Sequence, residues 1–79
     1  MDNLQKFKGV ISDVLKINEE DISDSLMPED IAEWNSLNHL ILISELEDTF
    51  NISFDIDDIP KMKSIGDIKK VLNKYGFNM

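Results

Sequence analysis

Two short stretches, Asp24-Ser25-Leu26 and Asn35-Ser36-Leu37, place a serine hydroxyl in nearly the same setting. A serine can act as a nucleophile, if a base and an oxyanion hole surround it, or it can simply be a point of covalent attachment. His39 is the only histidine and lies three residues after Ser36, a spacing at which side chains touch on a helix. A hydrolase would also need an orienting carboxylate and donors on a sharp, glycine-rich turn. Gly9, Gly66 and Gly76 all lie elsewhere. His39 therefore reads as a residue packed at the edge of a helix's buried face.

Metal chemistry fares no better. Asp55, Asp57 and Asp58 resemble the start of a calcium loop, but a loop counted from Asp55 puts Pro60 where an EF-hand needs glycine. The cluster reads as a solvated acidic connector. One histidine and no cysteine cannot supply a transition-metal ligand set. Trp34, the only tryptophan, is expected to lid the core just before a helix begins.

The elements that must position these residues follow from periodicity. Leu4, Phe7, Ile11, Val14 and Leu15 recur at helical spacing and predict an amphipathic first helix over roughly 2–16. Residues 17–34 show no clean period and predict a long loop, pinned to the core by Ile17, Ile22, Leu26 and Ile31. A loop that long in so small a domain is more often functional than idle. Periodicity resumes over 36–50, where Leu40, Leu42, Ile43, Leu46 and Phe50 share one arc, the expected core face. Leu37, Ile41, Ser44 and Asp48 form a separate ridge. Asn51 ends this helix. A short helix near 57–62 is weakened by Pro60, and Ser64 caps a last helix over 64–76. Its core positions are Ile65, Ile68, Val71, Leu72 and Tyr75, with Gly76 at the C-terminal position. The predicted fold is an all-α up-down bundle of three main helices and one short one, a single domain over 1–79.

Composition narrows the function classes. The formal net charge is -8, and residues 17–60 hold 13 acidic side chains and no lysine or arginine. Such a field repels nucleic acid and anionic lipid and steers basic protein surfaces toward the middle of the chain. No run approaches the roughly eighteen apolar residues of a membrane span, and no leader opens the chain. The expectation is a soluble, cytoplasmic monomer without membrane insertion.

Physics separates the two serines. Pro28 pushes Met27 toward extended backbone and opposes a regular helix after Ser25. Ser36 stands at a helix entrance, with Asn35 a good N-cap. The unpaired N–H groups and the positive dipole end there favour a phosphate on the neighbouring hydroxyl. Taken on local chemistry alone, Asn35 and Ser36 can equally be plain capping residues.

The segment WNSLNHLILISELEDTFNISFDIDDI, followed by Ser64-Ile65-Gly66-Asp67-Ile68, resembles an acyl carrier protein. The likeness covers essentially the whole chain, including its acidity and its helix, long loop, helix order. In that family an Asp-Ser-Leu motif opens the second helix, and its serine carries 4′-phosphopantetheine, taken from coenzyme A, through a phosphodiester. The resemblance implies that Ser36 holds the arm and that Asp24-Ser25-Leu26 is a decoy in the first loop. Acyl groups would ride on the arm's thiol, so a protein without cysteine or catalytic machinery still takes part in thioester chemistry. The core around Leu42, Leu46 and Ile65 would open to shelter an acyl chain.

The implied partners are a phosphopantetheinyl transferase and acyl-loading and acyl-processing enzymes, docking on Asn35, Leu37, Ile41 and Asp48 with Glu47 at the flank. Asn35 replaces the family's usual Asp, and Asn38 and Ile41 stand where many fatty-acid carriers are acidic. The stripe is thus more apolar than that of a housekeeping fatty-acid carrier. Trp34 before the motif and His39 after it resemble specialised carriers of lipid, surface-polysaccharide or secondary-metabolite pathways. Two alternatives stand beside this reading. One is an aminoacyl or peptidyl carrier; the other is an unmodified acidic helical adaptor that keeps the carrier fold.

Overall fold

A computed structural model describes residues 2–79. It contains three α-helices, α1 (Asn3–Leu15), α2 (Ser36–Phe50) and α3 (Ile65–Lys74), and among the described residues no strand. Each helix begins on a short polar side chain that accepts a hydrogen bond from an otherwise unpaired amide. The acceptors are Asp2 for Gln5 N–H, Asn35 for Asn38 N–H and Ser64 for Asp67 N–H. α1 and α2 end on left-handed residues, Lys16 at φ 59° and Asn51 at φ 54°. Asparagine tolerates that backbone well, and a lysine there is less usual. Just beyond α3, Gly76 takes φ 98°, which requires a residue without a Cβ.

The apolar faces of the three helices meet in one core. Phe7, Ile11 and Leu15 from α1, Leu42 and Leu46 from α2, and Ile65, Ile68 and Leu72 from α3 are almost wholly out of solvent. Trp34, Phe50, Phe54 and Met62 close it. Phe50 packs on Phe77 with ring centroids 4.8 Å apart. The loop residues Ile17, Ile22, Leu26 and Ile31 are half-buried against this core, as expected of the apolar residues of that loop. Trp34, 3% exposed, is the expected lid.

Three expectations need correction. Leu40 is not core but 60% exposed, because no element covers its flank of α2. The short helix expected at 57–62 is one 3₁₀ turn, Ile59–Lys61; Pro60 lacks the N–H that further turns would need. The three main helices stand as expected, and the short one is this single turn. The long loop is present as expected and holds 3₁₀ turns at Glu19–Asp21 and Pro28–Asp30. Finally, Asp58 is not a solvated connector residue, being 1% exposed. Lys74 Nζ donates to its Oδ1 at 2.8 Å and Tyr75 Oη to its Oδ2 at 2.7 Å. A buried carboxylate is tolerable because both oxygens are met by donors, one of them charged. The connector 55–61 is thereby tied to the end of α3.

The first loop is tied to the start of α3. Leu26 C=O accepts from Ile65 N–H at 3.0 Å, and Asp24 C=O accepts from Gly66 N–H at 2.9 Å. Lys69 Nζ reaches the Asp24 carboxylate at 2.7 Å. A Cβ on Gly66 would stand 3.1 Å from the Asp24 carbonyl oxygen. Glycine at that position lets the two backbones touch.

Candidate functional site

The entrance to α2 is held from both sides. Asn35, at φ -97° and ψ -179°, turns its Oδ1 onto Asn38 N–H at 2.9 Å. Its carbonyl accepts from His39 N–H at 2.8 Å and closes the first helical turn. Asn38 Nδ2 reaches back to Glu33 C=O at 2.6 Å, and Trp34 N–H bonds to Ile31 C=O. The segment before the helix is therefore fixed, although it belongs to a loop.

Ser36 is the first residue of α2 and is exposed. The side-chain bonds at this entrance run through Asn35, Asn38, Trp34 and His39 and, among the described residues, leave the Ser36 hydroxyl uncommitted. Ser25 is exposed as well, but its hydroxyl lies 3.2 Å from Ser23 Oγ, in the loop that clamps α3. His39 stands three residues beyond Ser36 on α2, half-buried. Its Nδ1 accepts a hydrogen bond from Trp34 Nε1–H at 2.9 Å. Burial holds the imidazole below its ordinary pKa of 6.5. Among the described residues no carboxylate bonds to it, the contact that a Ser-His pair uses to orient its imidazole.

An open groove of about 780 Å³ begins at Ser36. Trp34, His39 and Leu40 form one wall, Met27 and Pro28 another, and Ile59, Pro60 and Met62 the third. The Asp58 network therefore matters to this region, since it fixes the connector that supplies the third wall. Lys74 and Tyr75 hold the Asp58 carboxyl below its ordinary range, and the carboxylate in turn raises both the Lys74 ammonium and the Tyr75 hydroxyl. No group of three or more His, Cys, Asp or Glu among the described residues could hold a metal ion.

Leu37 and Ile41 lie on the outer surface of α2, 67% and 41% exposed, and Asp48 is exposed farther along. Ile41 also borders a second open groove, of about 600 Å³, between α1 and α2. Glu47 is half-buried, and its Oε2 accepts from Phe54 N–H at 2.8 Å, so it also fastens the chain leaving α2. Sequence reasoning missed the indole–imidazole bond and the Asp58 network. A Trp and a His five residues apart across a helix start could have signalled the first; nothing local signals the second.

The residues present suit a phosphate-linked arm. An uncommitted hydroxyl stands at the amide-rich start of a fifteen-residue helix, beside a largely apolar groove. The family described as a phosphopantetheine attachment site matches residues 5–72 of the 79-residue chain.

Proposed function

We propose, on the premise that this chain belongs to the phosphopantetheine attachment-site family, that Ser36 is the residue bearing the arm. Membership makes the protein a non-catalytic carrier whose cofactor is covalently attached 4′-phosphopantetheine. Carriers of this family serve a modifying transferase and enzymes that process what the arm holds. The observation that supports Ser36 is its exposed, uncommitted hydroxyl on the first residue of α2, while Ser25 lies in the clamp on α3.

In attachment, Ser36 Oγ forms a bond to the β-phosphorus of coenzyme A. The phosphoanhydride bond breaks, and adenosine 3′,5′-bisphosphate leaves with the bonding electrons. The hydroxyl proton goes to a base of the transferase, since this chain offers no base poised for the task. The amides and dipole at the start of α2 favour the phosphodiester that results. The arm supplies a thiol that holds cargo as thioesters. Leu37, Ile41 and Asp48, with Asn35 and Glu47 beside them, give partner enzymes a rigid surface at its base. Apolar contact at the centre of such a surface carries most of the affinity, and the surrounding charge mainly speeds encounter.

On this reading the whole 79-residue chain acts as one monomeric cytoplasmic domain. Its cargo is a fatty or hydroxy-acyl group of a specialised lipid, polysaccharide or secondary-metabolite pathway, the less acidic stripe favouring this over housekeeping fatty-acid synthesis. The test is incubation with coenzyme A and a broad-specificity transferase, followed by peptide mapping. The expected result is one mass increment on the Ser36 peptide, lost completely in Ser36→Ala and unchanged in Ser25→Ala. An increment that persists in Ser36→Ala overturns the assignment. The mass of the native thioester distinguishes an acyl from an aminoacyl cargo.

A further inference from the structure

The ring of His39 carries more information than its position. Trp34 Nε1 can only donate, so His39 Nδ1, which receives it at 2.9 Å, must be unprotonated. In the neutral ring the proton then sits on Nε2. The bond from Trp34 is the one hydrogen bond that the His39 side chain makes among the described residues. His39 therefore holds a fixed donor without a partner, and it lines the same groove that begins at Ser36. We infer that this groove seats the pantetheine arm against the protein, with His39 Nε2–H as its polar anchor and Trp34 as the residue that aims it. The inference rests on Ser36 being the attachment point.

The chemistry of the two surfaces matches. The arm presents acceptor oxygens at its phosphate end, then a gem-dimethyl group, then amides. The groove offers the His39 donor one turn along α2 from Ser36 and apolar side chains, among them Leu40, Ile59 and Met62, with Glu29 and Lys63 as the charged residues of its lining. Leu40 is 60% exposed and Met27 38%. A seated arm would cover both, which accounts for an apolar α2 position that no element of the chain buries. The groove is separate from the core: Leu42, Leu46 and Ile65 are fully buried, and none of them lines it.

Trp34 and His39 are the only residues of their types, so each gives a single, self-assigning NMR signal. The test compares ¹⁵N-labelled protein before and after complete transfer of the arm, verified by intact mass and by the ³¹P signal of the phosphodiester. The expected result is an unchanged Nε2–H tautomer, a shifted Nε2 resonance, and cross-peaks from the arm's methyl protons to Trp34 and Leu40. His39→Leu is expected to lose those cross-peaks with the mass increment intact. His39→Gln, which can accept from Trp34 and still donate, is expected to keep them. Trp34→Phe serves where a His39 variant fails to fold: it frees the tautomer and weakens the cross-peaks. Full modification at Ser36 with unshifted imidazole and arm signals as sharp as those of free coenzyme A overturns the inference. An increment that maps elsewhere overturns the attachment assignment instead, and with it this reading.

Discussion

Asp24-Ser25-Leu26 and Asn35-Ser36-Leu37 are nearly the same tripeptide with opposite roles in the structure. The first copy turns its backbone inward: two of its carbonyls receive the opening amides of α3, its carboxylate holds Lys69, and its leucine is half-buried. The second turns outward, with a side chain capping α2, an exposed serine, and a leucine 67% exposed. What separates them is which helix end each one serves. The clamp supplies acceptors to another element's N-terminus, whereas the entrance is itself an N-terminus, with amides still to offer. Complete loss of modification in Ser36→Ala but not in Ser25→Ala is the largest expected effect of this difference.

The clamp should break in stability rather than in chemistry. Gly66→Val puts a branched side chain where even a Cβ lies 3.1 Å from the Asp24 carbonyl oxygen and 3.3 Å from its Cβ. Backbone on the far side cannot yield as a flexible side chain would. The expected cost is about 1–3 kcal/mol, typical of overpacking, read as a lower urea midpoint. Ser36 should still accept the arm in the folded fraction. If Gly66→Val leaves the midpoint unchanged, the clamp is not a close contact in solution.

The entrance should break the other way. Ile41→Glu places a charge on the exposed ridge and restores a more usual fatty-acid-carrier face. Burying that charge against a partner's apolar contact should weaken docking by ~1–3 kcal/mol, read as a raised KM of the transferase or loading enzyme. Stability should shift by roughly half a kcal/mol at most, as exposed substitutions do. An unfolded Ile41→Glu would make the residue core, at odds with its 41% exposure. Unchanged stability together with unchanged KM would move the docking surface elsewhere.

Local signals were strong at the entrance and weak at the clamp. The bounds of α2 are legible to the residue, because Asn35 and Asn51 are short polar side chains suited to a cap and a left-handed stop. Helical phase alone placed Leu42, Leu46, Ile65 and Leu72 inside. It failed at Leu40, since periodicity shows which residues share an arc but not whether another element covers all of it. The Gly66 contact was invisible because its partner lies forty-two positions away, at Asp24. Asp58 was misread for the same reason: an acidic run looks solvated until Lys74 and Tyr75 fold back onto it. Capping and periodicity are local, and long-range polar pairing is not.

The smallest expected difference is in the response to pH. Asp58 has its pKa lowered by Lys74 and Tyr75 from an ordinary 3.8. A depressed acid contributes stability that is present above the ordinary value and lost as pH falls through the folded one. The connector wall of the groove should therefore loosen only in strong acid, and Asp58→Asn should flatten the fall in urea midpoint below about pH 4. At the entrance the window is milder. Burial lowers the His39 pKa from 6.5, so the neutral ring is favoured by the fold, and its contribution is lost as pH falls below that value. Protonation also puts a proton on Nδ1, where Trp34 now donates, and the indole bond must break. Because the ring is only half-buried, the stability slope should be shallow. The local readout is sharper: between pH 7 and pH 5 the Trp34 indole N–H should shift and exchange faster with solvent. Amides of Ile65 and Gly66 in the clamp should stay protected over the same range. Equal loosening at both places would mean that the whole domain titrates as one unit and that the entrance has no switch of its own.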